Sequence, residues 1–158
     1  AEYRRVYPVG HRREMGGVTV CEEKVLRGRC IVEGCVEGEA LVTNDAISFM
    51  GTINPKTGYV IERKHEIEGA CLKGKVLVFP MSKGSTGGSY MLYDLVKNGV
   101  GPLGIVNIEA ESIVVIGAIV SDLPMVDRID IGQIHTGDYV RLNATEGTVT
   151  VIPKQPKG

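Results

Sequence analysis

The chain has 158 residues, enough for one domain with a real core and few for two. Hydrophobic residues make up 43% of it and the formal net charge is −1, which excludes a disordered polyelectrolyte and gives no general attraction for nucleic acid. No apolar run approaches membrane-spanning length, and Ala1 to Arg13 are polar and arginine-bearing with no signal-peptide core behind them. A cytoplasmic protein without membrane or nucleic-acid partners is expected, and Asn143-Ala144-Thr145 then reads as a turn, not a glycosylation site.

Glycine, with 21 residues, divides the sequence into short β-branched runs. Residues 1 to 26 are expected to form an arm or an extra hairpin, with a strand over Val18 to Cys21, and the main domain to span 27 to 158. Cys30 to Val32 and Val36 to Val42 read as strands, the second alternating Val36, Gly38, Ala40 and Val42 against charged neighbours. Asn54-Pro55-Lys56-Thr57-Gly58 is a turn, because proline presets φ and glycine tolerates a positive φ, and a strand over Tyr59 to Glu62 follows. Val76 to Phe79, stopped by Pro80, predicts a strand buried on both faces. One helix is expected over Tyr90 to Asn98, with Met91, Leu92, Leu95 and Val96 on one face, Ser89 as N-cap and Gly99 just past the end. Ile105 to Ile108 and Ile113 to Val120 read as further strands, and a weaker helical turn is expected between Val126 and Ile134. Tyr139 to Asn143 and Thr148 to Ile152 flank a closing hairpin turn. The sum is an α+β, β-rich domain of eight or nine strands with one or two helices, a layered barrel or β/β/α arrangement.

Several motifs fail on their context. Gly69 to Lys75 spells most of a Walker A loop, but Val76 stands where a hydroxyl should bind Mg²⁺, and a strand follows instead of a helix. Gly99-Val100-Gly101-Pro102-Leu103-Gly104 matches G-x-G-x-x-G, yet it leaves a helix and enters a strand, so no helix N-terminus meets a pyrophosphate. Cys21, Cys30, Cys35 and Cys71 supply a single C-x4-C pair without its second half, and are expected to be small hydrophobes in a reducing compartment. His11, His65 and His135 are scattered, with no ligand spacing.

Lys83-Gly84-Ser85-Thr86-Gly87-Gly88-Ser89 is different, because it joins a buried strand to a helix N-terminus. Successive backbone N–H groups of such a loop turn inward as a nest, the helix dipole adds partial positive charge, and Lys83 adds a full one. Such a loop suits a phosphate or carboxylate; equally, Ser85, Thr86 and Ser89 are ordinary capping residues.

The blocks Gly38-Glu39-Ala40-Leu41-Val42-Thr43, Ile47-Ser48-Phe49-Met50-Gly51, Asn54-Pro55-Lys56-Thr57-Gly58, Gly74 to Pro80 and Lys83 to Tyr90 occur in this order. From about Arg27 to Ile152 the chain resembles the small subunits of aconitase X-type enzymes, most closely the archaeal branch acting on phosphomevalonate. The resemblance implies a swivelling β/β/α domain, like the mobile fourth domain of aconitase, encoded as a separate chain. It implies a large-subunit partner carrying an iron–sulfur cluster of the 4Fe-4S kind, with none bound by this chain. The implied reaction dehydrates (R)-5-phosphomevalonate, a phosphorylated hydroxy acid, to trans-anhydromevalonate 5-phosphate in the archaeal mevalonate route. Ser85 maps to the proposed catalytic base, and Lys83, Gly84, Thr86 and Ser89 to substrate binding. Alternatives are a cis-3-hydroxyproline dehydratase of the same family and a non-catalytic phosphate-binding module; a phosphohistidine domain needs a nucleophilic histidine in the glycine loop, and this loop has none. Two positions depart from the pattern. Thr52 stands where a second glycine is expected, and Asn54 where many relatives have Asp.

Overall fold

A computed structural model describes residues 23–84 and 86–154. Eight strands form one mixed sheet: β1 (Lys24–Arg27), β2 (Arg29–Val32), β3 (Cys35–Val42), β4 (Lys75–Val78), β5 (Gly104–Val106), β6 (Met125–Asp127), β7 (Tyr139–Asn143) and β8 (Thr148–Ile152). Their spatial order is β1-β8-β7-β3-β4-β5-β6-β2. The central four, β3 to β6, run parallel, and the outer strands run antiparallel to their neighbours. A single residue, Gly28, separates β1 from β2, yet these strands stand at opposite ends of the order. The sheet therefore curls until its two edges meet at Gly28, whose N–H donates to Gly147 O at 2.8 Å. A side chain at Gly28 would strike the Asp127 carbonyl, so the closure leaves room only for glycine.

Three parallel pairs need three crossovers, and helices supply two of them: α1 (Gly88–Lys97) between β4 and β5, and α2 (Ser112–Ser121) between β5 and β6, while the long connection of residues 43–74 joins β3 to β4. Leu92 and Leu95 of α1 and Val114 and Ala118 of α2 share one core with Leu41, Leu77, Phe79, Ile105 and Met125. Ala40, Val76, Val78, Val106 and Val126 point the other way, into a second core with Val140, Leu142, Val149 and Val151. β4 feeds both cores, which is why Val76 to Phe79 is apolar without alternation and fully buried.

The apolar run Ile113 to Val120, expected as a strand, is helix α2 instead. A short apolar run has no period of its own to decide between the two. Here Glu111 caps the helix by accepting from Ile113 N, Asp122 ends it in the left-handed conformation (φ 56°), and Gly117 lets it approach α1. Helix α1 starts slightly earlier than expected: Gly87 is its N-cap, and Ser89 lies inside the first turn with its hydroxyl donating to Ile113 O at 2.6 Å. Tyr59 to Glu62 forms only isolated bridges, Ile53 with Val60 and Tyr59 with Cys71, within the long connection from β3 to β4. The helical turn expected after Val126 is a single 3-10 turn, Ile131–Gln133, after β6. The β7–β8 hairpin matches its expected bounds, and Asn143 O accepts from Glu146 N in its turn. Among the described residues the first strand is Lys24–Arg27; the strand expected over Val18 to Cys21 lies outside them.

Candidate active site

The four parallel strands end on one edge: Thr43 N donates to Val78 O, Phe79 N to Val106 O and Asn107 N to Val126 O, so the segments after β3, β4, β5 and β6 lie side by side. In open α/β sheets this carboxyl edge is where ligands bind. The Lys83–Ser89 loop leaves from β4, at the centre of that edge, and runs to the N-terminus of α1.

The loop rests on the Ile47–Gly51 segment. Ile47 pairs with Ser82 as a parallel bridge, Ile47 N donates to Met81 O at 3.3 Å, and Lys83 N donates to Ile47 O at 2.9 Å. Phe49 anchors the segment below, edge-on to Phe79 with ring centroids 6.1 Å apart. Gly84, at φ 100°, lies directly against Ser48: a Cβ there would meet Ser48 Oγ and come within 2.9 Å of Ser48 Cβ. The Ile47–Gly51 and Lys83–Tyr90 blocks, far apart in sequence, are thus one packed unit.

Lys83 is not a bare cation. Its ammonium donates to Glu62 Oε2 at 3.0 Å, while Glu62 Oε1 accepts from the Thr52 hydroxyl at 2.5 Å. Thr52 is buried, and its Oγ1 accepts in turn from Ser48 N at 3.1 Å. The Thr52 hydroxyl first, and then the Lys83 ammonium, hold the Glu62 carboxyl below the usual carboxylate range. Neither Thr52 nor Glu62 was marked as a site residue by the sequence. Thr52 stood out only as a departure from the expected glycine, and Glu62 carried no signal at all.

On the other side of the loop, Thr86 and Ser89 line an open groove of about 470 Å³ with Tyr90, Tyr93 and Val120. Lys83 and Gly84 are not among its walls. The structure therefore divides the expected substrate-binding residues between two surfaces, with Lys83 and Gly84 against residues 48–62 and Thr86 and Ser89 facing the groove. Ser85, the expected base, joins the two in sequence and lies outside the described residues. Gly87 offers no side chain to cap the first turn of α1, and no acidic residue occupies that turn. The positive end of the helix is left to the loop.

The Asn54–Gly58 turn stands elsewhere. Asn54 Oδ1 accepts from Lys56 N at 2.8 Å, and Asn98 Nδ2, at the C-terminal end of α1, donates to Pro55 O at 2.8 Å. A ten-residue helix is about 15 Å long. The turn is therefore a helix length from the loop, and Asn54 builds the turn.

Other chemistry-bearing side chains are structural. His65 is buried, its Nδ1 accepting from Ile67 N and its Nε2 facing Ala46 O at 3.0 Å, which assigns the Nε2–H tautomer. Lys75, from the Walker-like run, pairs with Glu39 at 2.7 Å across β3 and β4. Burial pushes the Cys30 thiol up, and the Cys71 thiol lies in another part of the fold, beside Thr57 O. Among the described residues no group of three or more His, Cys, Asp or Glu side chains could hold a metal ion, so their donors do not fit an iron–sulfur cluster. Nor is any helix among them long and apolar enough to cross a membrane.

A curled sheet with both helices on one face, and a K-G-S loop at its parallel edge, is the architecture of a swivel domain. Residues 25–151 match the family described as the aconitase X swivel domain, and the chain belongs to that family. Relatives include the phosphomevalonate dehydratase small subunit of Methanosarcina acetivorans, 50% identical over 84% of this chain and 93% of that protein. The small subunit of the same name from Methanosarcina mazei is 47% identical, over 84% of this chain and 93% of that protein. Among solved structures, aconitase X of Thermococcus kodakaraensis in its holo form superposes with a TM-score of 0.81 at 46% identity, covering 82% of this chain and 98% of that one.

Proposed function

We propose that this chain is the small subunit of a hydro-lyase that removes water from (R)-5-phosphomevalonate to give trans-anhydromevalonate 5-phosphate, as part of the archaeal mevalonate route. The observation that carries this reading is the Lys83–Ser89 loop. It combines a fixed cation, glycines seated on a neighbouring segment and an uncapped helix N-terminus at the parallel-strand edge. The names of the relatives favour the phosphorylated substrate over a hydroxyproline.

Dehydration takes a proton from the carbon beside a carboxylate, a weak acid that needs a strong and close base. The family resemblance implies that role for Ser85. An alkoxide is costly to form in water, and backbone N–H groups and the positive end of a helix lower that cost. Together with the Lys83 ammonium they also suit the substrate's carboxylate or phosphate.

A large subunit supplies the rest of the site, including the iron–sulfur cluster that the resemblance implies. Reconstitution tests the reading. The complex with the large subunit dehydrates (R)-5-phosphomevalonate, and Ser85→Ala loses at least about a hundredfold in kcat while the complex still forms. Near-normal turnover by that variant removes Ser85 as the base.

A further inference from the structure

Lys83 is a long, flexible side chain on a half-exposed loop, and an anion site gains from it only if its ammonium is already in place. Its backbone is fixed by the bond to Ile47 O and its far end by Glu62 Oε2. The carboxylate that holds it is itself held. Glu62 Oε1 accepts from Thr52 Oγ1, and the backbone N–H of Glu62 and of Ile61 both donate to Thr52 O, at 3.3 and 2.8 Å. Thr52 is keyed to Ser48 N, and Ser48 is the residue against which Gly84 is seated. The contacts close a ring, Gly84–Ser48–Thr52–Glu62–Lys83, that grips both residues of the Lys-Gly pair from one segment.

An exposed ion pair adds little to stability, so stability alone gives little reason to spend a buried hydroxyl on orienting this carboxylate. An ammonium has three donors; Glu62 takes one and leaves two for an incoming anion. We propose that Glu62, oriented by the Thr52 hydroxyl, is a positioning residue that presets the Lys83 ammonium for the anionic group of the substrate. This rests on the dehydratase reading above and adds two residues to that site.

The test is steady-state kinetics of the reconstituted complex. Glu62→Ala raises KM about fivefold or more with kcat within about twofold, as expected for a lost binding contact. Glu62→Gln, which keeps one acceptor oxygen for Lys83 and turns its NH2 to the Thr52 hydroxyl, restores part of the loss. Thr52→Val shows part of the Glu62→Ala effect, and Thr52→Ser restores it. Because Glu62 acts through Lys83, Glu62→Ala adds nothing in a Lys83→Ala background, whereas a merely structural defect multiplies with it. An unchanged KM in Glu62→Ala, or additive effects in the double variant, overturns the proposal. If the wild-type complex does not turn over (R)-5-phosphomevalonate, the dehydratase reading fails separately. Positioning is then read from the rate at which an acetylating N-hydroxysuccinimide ester modifies Lys83, followed by mass spectrometry. Loss of the carboxylate in Glu62→Ala releases the side chain from its ion pair and speeds its acetylation at least about threefold, and no acceleration overturns the proposal.

Discussion

Gly84→Ala isolates the physics that seats the loop. Gly84 adopts φ 100°, and holding an L-residue in so sparsely populated a region costs about 1–3 kcal/mol. The new methyl also meets Ser48, whose Cβ would stand 2.9 Å away, and overpacking of this kind costs about 1–3 kcal/mol. Reduced freedom of the unfolded chain returns about 0.4–1 kcal/mol, leaving a net loss of about 1–5.5 kcal/mol. With a urea m-value of about 2 kcal/mol/M, the midpoint of unfolding falls by about 0.5–3 M. Far-UV circular dichroism of the full chain in urea reads this directly. A double-variant cycle with Ser48→Gly separates the two causes. The steric part, about 1–3 kcal/mol, appears as coupling between the sites, while the backbone part persists in the double variant. A Gly84→Ala midpoint within about 0.2 M of wild type refutes both the left-handed backbone and the contact with Ser48.

At the α1–α2 crossing, a Cβ on Gly117 would lie 3.2 Å from Leu92 Cβ and from Ser89 O; Gly117→Val is expected to destabilise by about 1–3 kcal/mol in the same urea assay. Leu77, fully buried in β4, is expected to cost about 2–5 kcal/mol when changed to Ala, read as a matching fall in the midpoint. Asp127, fully buried, pairs with Arg29 at 2.8 Å and accepts from Ala110 N at 2.9 Å. Burial pushes its carboxyl up, but the Arg29 and Ala110 contacts together outweigh burial and set it below the ordinary value. Its stabilising contribution is therefore complete above its unfolded pKa, about 3.9, and is lost as pH falls through the lower folded value. Asp127→Asn is expected to flatten the acid limb of a plot of stability against pH, and an unchanged acid limb counts against the pairing.

What could be read from the sequence was local. The closing hairpin, the doubly buried strand β4 and the apolar face of α1 follow from patterns within five to ten residues, where turn chemistry and periodicity act. The Lys83–Ser89 loop was legible for the same reason, since a strand, a glycine run and a helix start are adjacent in the chain. Helix α2 was not, because Ile113 to Val120 carries no period; its cap at Glu111 and its packing through Gly117 on α1 decided the matter. Closure of the sheet at Gly28 was equally hidden, because it depends on where β1 and β2 find partners, more than a hundred residues away for β1 and nearly a hundred for β2.

The site divides along the same line. Sequence alone placed a cation and glycines in a loop before a helix, because those residues are consecutive. Only the tertiary structure gave the cation its carboxylate, 21 residues upstream, and gave that carboxylate its buried hydroxyl. Ion pairs and side-chain hydrogen bonds join residues by distance in space, and nothing in the spacing of Thr52, Glu62 and Lys83 foretells that the chain brings them together.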